Sequence, residues 1–224
     1  IVGMPRCGST LLETIVSANK NVRDLGESDS FPFSYHQWKK NNNTPPLSYL
    51  YHKNIKVDYS NQDILTDKNL ANFAYSGIIL NEIKNSKIIH CYRNPLDNIL
   101  SIFRSNFSRG FKYSSSLIDT ADVYINHSIL MDNYKKIYGD YIYSINYDSL
   151  VNEPEIEIKK LITWLNFEWT DDYLTPHLNT RSIKTESIIQ VRSPIHNKSV
   201  SGWKKYSELL QPVIDHFKEK DFKF

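Results

Sequence analysis

Apolar positions come in short bursts separated by polar stretches, and the spacing within successive bursts alternates between that of a strand and that of a helix. Ile1-Val2 reads as the stub of a strand. A glycine turn follows and runs into LLETIVSA, where Leu11, Leu12, Ile15 and Val16 fall on one helical stripe. VRDLGE has the form of a short strand closed by glycine. The stretch HQWKKNNNTPPLSYLYHKN interrupts the pattern with three asparagines and two prolines, and is expected to be a loop or irregular insertion. From Thr66 the periodicity returns. DKNLANFAYSGIILNEIK predicts a helix, SKIIHCYRNP a buried strand stopped by Pro95, and LDNILSIFRSNF a helix beginning just past that strand. A longer helix is expected over about 115–138 and a strand in DYIYSINYDSL, over 142–147. Another helix should open near Pro154, where the missing N–H costs little, and the tail should be helical on either side of Pro212.

Strands alternating with helices predict an α/β fold: a three-layer, P-loop-type domain with a mainly parallel central sheet flanked by helices. In such a sheet the ligand lies beyond the carboxyl ends of the strands. The segments after Val2, after Leu25, after Tyr92 and after the strand at 142–147 should therefore share one crevice. The 224 residues fit a single domain, 1–224, with no internal repeat. Because the first strand is only a stub, further sequence upstream of Ile1 is expected.

Composition narrows the function. Aromatics are plentiful (15 Tyr, 10 Phe, 4 Trp), yet no window of about 18 apolar residues predicts a membrane span. A net charge of +2 is too small for a nucleic-acid footprint, so basic residues that matter must be gathered at a site. Cys7 and Cys91 match no zinc spacing, and nothing in the sequence pairs them. A reducing, cytoplasmic setting is the expectation.

The first turn, GMPRCGST, carries the most chemistry. Gly3 and Gly8 have the spacing of a phosphate-cradling loop, but Ser9 stands where a nucleotide hydrolase places its lysine. Backbone N–H groups around Cys7 and Gly8, the start of the following helix, and the Ser9 and Thr10 hydroxyls together favour an oxyanion. Arg6 adds a planar charged fork. No acidic strand end completes a magnesium site; Asp67 and Asp97 are the nearest candidates. A tight turn that merely packs a helix on a strand is the plainer alternative. At the next strand end, RNPLDNILSIF places Arg93 and, two helical turns on, Ser101 as a second pair of anion donors. Two anion sites at neighbouring strand ends imply one ligand with phosphates at both ends.

At this point the chain resembles the sulfotransferases that use 3′-phosphoadenosine 5′-phosphosulfate (PAPS). GMPRCGSTLL is similar to their 5′-phosphosulfate loop and CYRNPLDNILSIF to their 3′-phosphate motif, which implies Arg93 and Ser101 as its ligands. TDKNLANF, YDSLVNEPEIEIKKLITWLNFEW and VRSPIHNKSVSGWKKY resemble segments of a bacterial branch often fused behind tetratricopeptide repeats and related to tyrosylprotein sulfotransferases. The resemblance implies Glu27 as the base, Lys68 beside the transferring sulfuryl group, and Tyr147 at the adenine side. It implies Ser187 in a segment closing over the cofactor. Lys198 and Gly202 fit the spacing of a further cofactor motif, in which Asn197 and Ser199 replace an arginine and a glycine. Ser105 stands where tyrosylprotein enzymes carry a second arginine, with Arg104 turned about 100° away on a helix.

Sulfuryl transfer needs an in-line nucleophile and stabilised charge on the leaving and equatorial oxygens. Sulfate is less charged than phosphate, so Arg6, Lys68 and backbone amides suffice in principle and no metal is expected. The acceptor is expected to be a hydroxyl on a peptide tyrosine, a carbohydrate or a small molecule. Two other readings stay open: a P-loop kinase or NTPase with an altered lysine, and a nucleotide-binding regulatory domain without catalysis. Read without the resemblance, Glu27 is equally a solvated loop residue, Lys68 a projection from a helix start, Tyr147 a core aromatic and His90 a core histidine.

Overall fold

The computed structural model describes residues 1–60, 62–105, 107, 111–179 and 192–224. Three parallel strands, β1 (Val2–Gly3), β4 (Ile88–Tyr92) and β5 (Ile142–Asn146), form one sheet in the order β1-β4-β5. Two further parallel strands, β2 (Val22–Asp24) and β3 (Ile64–Thr66), pair with each other. Every pairing among the described strands is parallel, which requires crossover connections and buries both faces.

The period-2 alternation of the strands sorts their side chains between two helical layers. Ile89 and Cys91 of β4 and Tyr143 and Ile145 of β5 face α1 (Ser9–Val16) and α8 (Pro154–Leu165), meeting Leu12, Ile15, Ile158 and Leu161. Val2, Ile88 and Ile142 point the other way, onto Met131 of α6 (Leu117–Tyr138) and Ile79 of α4 (Ser76–Glu82). Helices α5 (Pro95–Phe103), α6 and α9 (Ser207–Glu219) share an adjoining core around Met4, Leu96, Ile99, Leu210 and Phe217. Each fully buried aliphatic side chain of this kind contributes roughly 1.5–3 kcal/mol.

Several expectations are corrected. The polar stretch taken as a loop folds into α2 (Ser30–Lys40) and α3 (Leu47–Asn54). Its apolar residues are few, but Phe31, Tyr35 and Trp38, then Leu47 and Tyr51, recur at helical spacing and close a small core with Tyr75 and Ile78. The asparagine run forms only the turn between them, with Asn42 and Asn43 at positive φ. The helix expected over 67–84 divides into a 3-10 turn (Leu70–Tyr75) and α4, and just before it lies β3, a strand the pattern did not predict. The last strand stops at Asn146, whose side chain accepts from the Ser149 amide and starts α7 (Tyr147–Asn152), so Tyr147 sits on a helix. The tail is helical on both sides of Pro212, as expected, and α9 runs through it without interruption.

Candidate active site

The carboxyl ends of the strands open into one cavity of about 940 Å³. It is lined by the first glycine turn, by Glu27 after β2, by Arg93 after β4, by Tyr147 after β5, and by residues 193–196, Lys198, Ser199 and Gly202. The four segments expected to converge do so.

The turn before α1 is shaped by close approaches. A Cβ on Gly3 would lie 2.3 Å from the Cys91 carbonyl, and one on Gly8, at φ +100°, would lie 2.2 Å from the Tyr147 ring. Glycine is therefore required at both positions. Arg6 takes φ +64° and directs Nε to the Ser101 hydroxyl at 3.4 Å, which joins the glycine turn to α5 through one contact. The Asn98 side chain, wholly buried on α5, donates to the Pro5 carbonyl at 2.8 Å and pins the turn from below. Ser9 and Thr10 line the cavity at the start of α1. Cys7 and Cys91 are free thiols with 0% exposure, and Cys91 Sγ donates to the Cys7 carbonyl at 3.2 Å. The Cys7 side chain thus faces the core.

Arg93 leaves β4 with 8% exposure. Its Nη2 donates to the Ser199 carbonyl, its guanidinium lies 5.0 Å from the centroid of the Tyr147 ring, and Nε stands 3.9 Å from Asp148 Oδ1. Nε itself has no hydrogen-bond partner, as a buried donor awaiting an anion would not. Burial raises the Asp148 pKa, while a hydrogen bond from the Asn94 amide and the Arg93 charge oppose the rise. Asn94 caps α5 through the amides of Leu96 and Asp97. That cap brings Asp97, Ser101 and Ser105 onto one face, spaced four residues apart, and all three line the cavity.

On the opposite wall, the parallel register of β2 with β3 continues beyond the strands: the Leu25 amide donates to Thr66 and the Lys68 amide to Gly26, each at 2.8 Å. Glu27 and Lys68 are thereby placed side by side, with Lys68 Nζ 2.7 Å from Glu27 Oε1. Lys68 does not project from a helix start; its side chain is wholly buried, while that of Glu27 is 54% exposed toward the cavity. Behind them lies Glu13, which sequence reasoning passed over. Desolvation raises its pKa to about 7, against the opposing charge of Lys68.

Of the remaining candidates, Lys198 and Ser199 line the cavity, and the Ser199 hydroxyl lies 3.0 Å from that of Tyr147. Asn197 turns away and bonds Asn152 at 3.0 Å. Ser187 lies outside the described residues. Arg104, just past the end of α5, reaches the cavity with its guanidinium 5.4 Å from the centroid of the Tyr206 ring. The 100° turn therefore does not exclude it. His90 packs against His127 on the α6 face, and burial lowers its pKa to about 3, so it stays neutral. Both aspartates considered for a metal are engaged. Asp67 accepts from Tyr51 and the Asn69 amide, and Asp97 from the amides of Ser201 and Trp203. Asp97 and Asn98 are structural partners that sequence reasoning did not assign.

Comparison with known proteins agrees with this fold. Solved structures of the sulfotransferase domain from the Synechococcus PCC 7002 olefin synthase and of the sulfotransferase domain from the curacin biosynthetic pathway share the fold. Their TM-scores are 0.68 and 0.66, at 14% and 15% identity. Each match covers 100% of this chain, and 95% and 96% of the other. A protein of Aquifex aeolicus (strain VF5), described as an uncharacterized protein, is 29% identical over 98% of this chain. The match takes in 32% of that relative, so the chain spans about a third of its length. The family model described as the sulfotransferase family matches residues 44–171, more than half of the chain. The chain belongs to the sulfotransferase family.

Proposed function

We propose that the chain moves a sulfuryl group from PAPS to an acceptor hydroxyl. The observation that carries this reading is the joining of two cationic anion-binding elements, the Arg6 turn and the Arg93–Ser101 helix, in one cavity across a 3.4 Å contact. A ligand with a 5′-phosphosulfate and a 3′-phosphate matches that pairing; a triphosphate charged at one end does not. The residues present fit such a donor. The amides of Cys7 to Thr10 and the Ser9 and Thr10 hydroxyls hold the 5′ group, with Arg6 across it. Arg93, whose Nε has no hydrogen-bond partner, holds the 3′-phosphate together with Ser101, Lys198 and Ser199. Tyr147 flanks the adenine, and Ser187 belongs to the same proposed set.

Glu27 takes the acceptor proton as the hydroxyl oxygen attacks sulfur. Lys68, held at 2.7 Å, neutralises it at rest and turns to the developing charge on the sulfuryl oxygens and the bridging oxygen. The acceptor enters past Glu27, and the tyrosylprotein resemblance favours a peptide tyrosine. No step is assigned to a metal. The kinase reading is weakened because the carboxylates of Asp67 and Asp97 are already bonded to other groups.

Thermal denaturation with adenosine 3′,5′-bisphosphate, ADP and ATP, each with and without magnesium, tests the donor. The bisphosphate at about a hundred times its Kd should raise Tm by roughly 5–10 °C irrespective of magnesium. A magnesium-dependent preference for ATP would replace this reading with the kinase. Turnover with PAPS separates the enzyme from a regulatory domain, and Glu27→Gln should keep bisphosphate binding while transfer slows by roughly two to four orders of magnitude.

A further inference from the structure

The segment 198–203 crosses the 3′ side of the cavity as a strap. Ser199 meets Arg93 and Tyr147 there, but these contacts involve the groups that the ligand itself engages. What ties the strap to the rest of the molecule is Asp97. Its side chain is 3% exposed, Oδ2 accepts from the Ser201 amide at 2.7 Å, and Oδ1 accepts from the Trp203 amide at 2.8 Å. The two carboxylate oxygens thus hold strap amides two residues apart. Gly202 passes between them, where a Cβ would stand 3.6 Å from Oδ1.

A buried carboxylate in a cavity built for anions is electrostatically costly, and repels the ligand, unless it does something no neutral residue does as well. Charge-assisted bonds to two backbone amides meet that condition, being shorter and about twice as strong as neutral ones. The position is supported from its own helix. Asp97 is the third residue of α5, where the helix dipole favours a negative charge, and its amide is capped by Asn94. Four residues on, Ser101 faces the same cavity.

We propose that Asp97 is a positioning residue for the donor's 3′-phosphate, latching the 198–203 strap to α5 so that Lys198 and Ser199 meet the phosphate held by Arg93 and Ser101. This rests on the donor reading above. Asp97 touches no ligand atom; it acts through the two amides. The strap and α5 then move as one body, and the 3′-phosphate is bound without ordering a loop first.

The test is calorimetric titration of the wild type and Asp97→Asn with adenosine 3′,5′-bisphosphate and with adenosine 5′-phosphate. The near-isosteric amide keeps the volume but presents an N–H₂ to one of the two strap amides. Bisphosphate affinity should fall roughly 10–100-fold, while adenosine 5′-phosphate affinity stays within about threefold. The PAPS KM should rise by the same factor as the bisphosphate Kd, with kcat changing less. An unchanged bisphosphate affinity, or an equal loss for both ligands, overturns the latch. Amide hydrogen exchange on the wild type decides the matter even if the variant does not fold. The Ser201 and Trp203 amides should be protected, and further protected by the bisphosphate but not by adenosine 5′-phosphate. Unprotected amides, or equal protection by both ligands, overturn it. A wild type that binds both nucleotides equally removes the donor reading itself, a result seen before any variant is made.

Discussion

Glu13 sits on α1 with 7% exposure, and its Oε1 has no hydrogen-bond partner. Desolvation lifts its pKa from 4.5 to about 7, and Lys68 is the largest charge opposing the lift. The folded value lies above the unfolded one. Between about pH 4.5 and 7 the folded chain therefore keeps a proton that the unfolded chain has released, and stability falls as pH rises through that window. Glu13→Gln should remove this slope. At pH 7.5 the variant should be more stable than the wild type by on the order of 3 kcal/mol, read from urea unfolding at several pH values. The same slope in both proteins would place the titration elsewhere. Residues of this kind separate what was legible in the sequence from what was not. Arg93 and Ser101 could be singled out because they follow a recognisable strand, and strand ends meet at a ligand; Glu27 stood out only through the family resemblance. Glu13, Asn98 and the bonds of Asp97 to the Ser201 and Trp203 amides could not, since the partners are 55, 93 and 104 residues away and only the fold brings them together.

Among elements, the contact between α7 and the turn before α1 is the tightest constraint on the cavity. Tyr147 lies on Gly8 so closely that a single methyl would displace the ring, and Gly8 is at φ +100°. Gly8→Ala should cost at least about 2 kcal/mol in thermal or denaturant unfolding. It should also weaken adenosine 5′-phosphate and the 3′,5′-bisphosphate alike, because the proposed adenine wall and the proposed 5′ turn shift together. Selective loss of one nucleotide would break the assigned link between Tyr147 and the turn. The same element exposes a limit of pattern reading. Tyr147 was placed at the end of a strand over 142–147, whereas the Asn146 cap ends the strand one residue earlier. The α2–α3 pair was hidden for the opposite reason: polar residues and an asparagine run masked an aromatic stripe that becomes apolar core only against Tyr75 and Ile78.

On the scale of the whole molecule, one helix organises both halves of the site. Asn98 of α5 holds the glycine turn and Asp97 the strap, so both proposed anion sites are referenced to one helix built into the core by Leu96, Ile99 and Ile102. A ligand spanning the two sites gains from that preorganisation, and a ligand reaching one does not. Arg93→Ala should accordingly weaken the 3′,5′-bisphosphate by about two orders of magnitude, with a much smaller effect on adenosine 5′-phosphate. Equal loss would show that Arg93 supports the fold and not the 3′ end. The parallel sheet and its crossovers were legible because alternation of strand and helix admits few other arrangements. The division into three strands and a separate pair was not, since β3 is only three residues long and follows a polar stretch.

The two thiols beneath the glycine turn give the molecule a built-in stopwatch. Neither sulfur meets solvent, and Cys91 is bonded to the carbonyl of Cys7 within the turn. A bulky maleimide can reach them only when the turn lifts off the sheet. The speed of labelling therefore clocks how often the pocket floor breathes, and any compound that settles on the floor slows the clock. Occupancy becomes measurable by mass, with no acceptor identified and no radioactive sulfur.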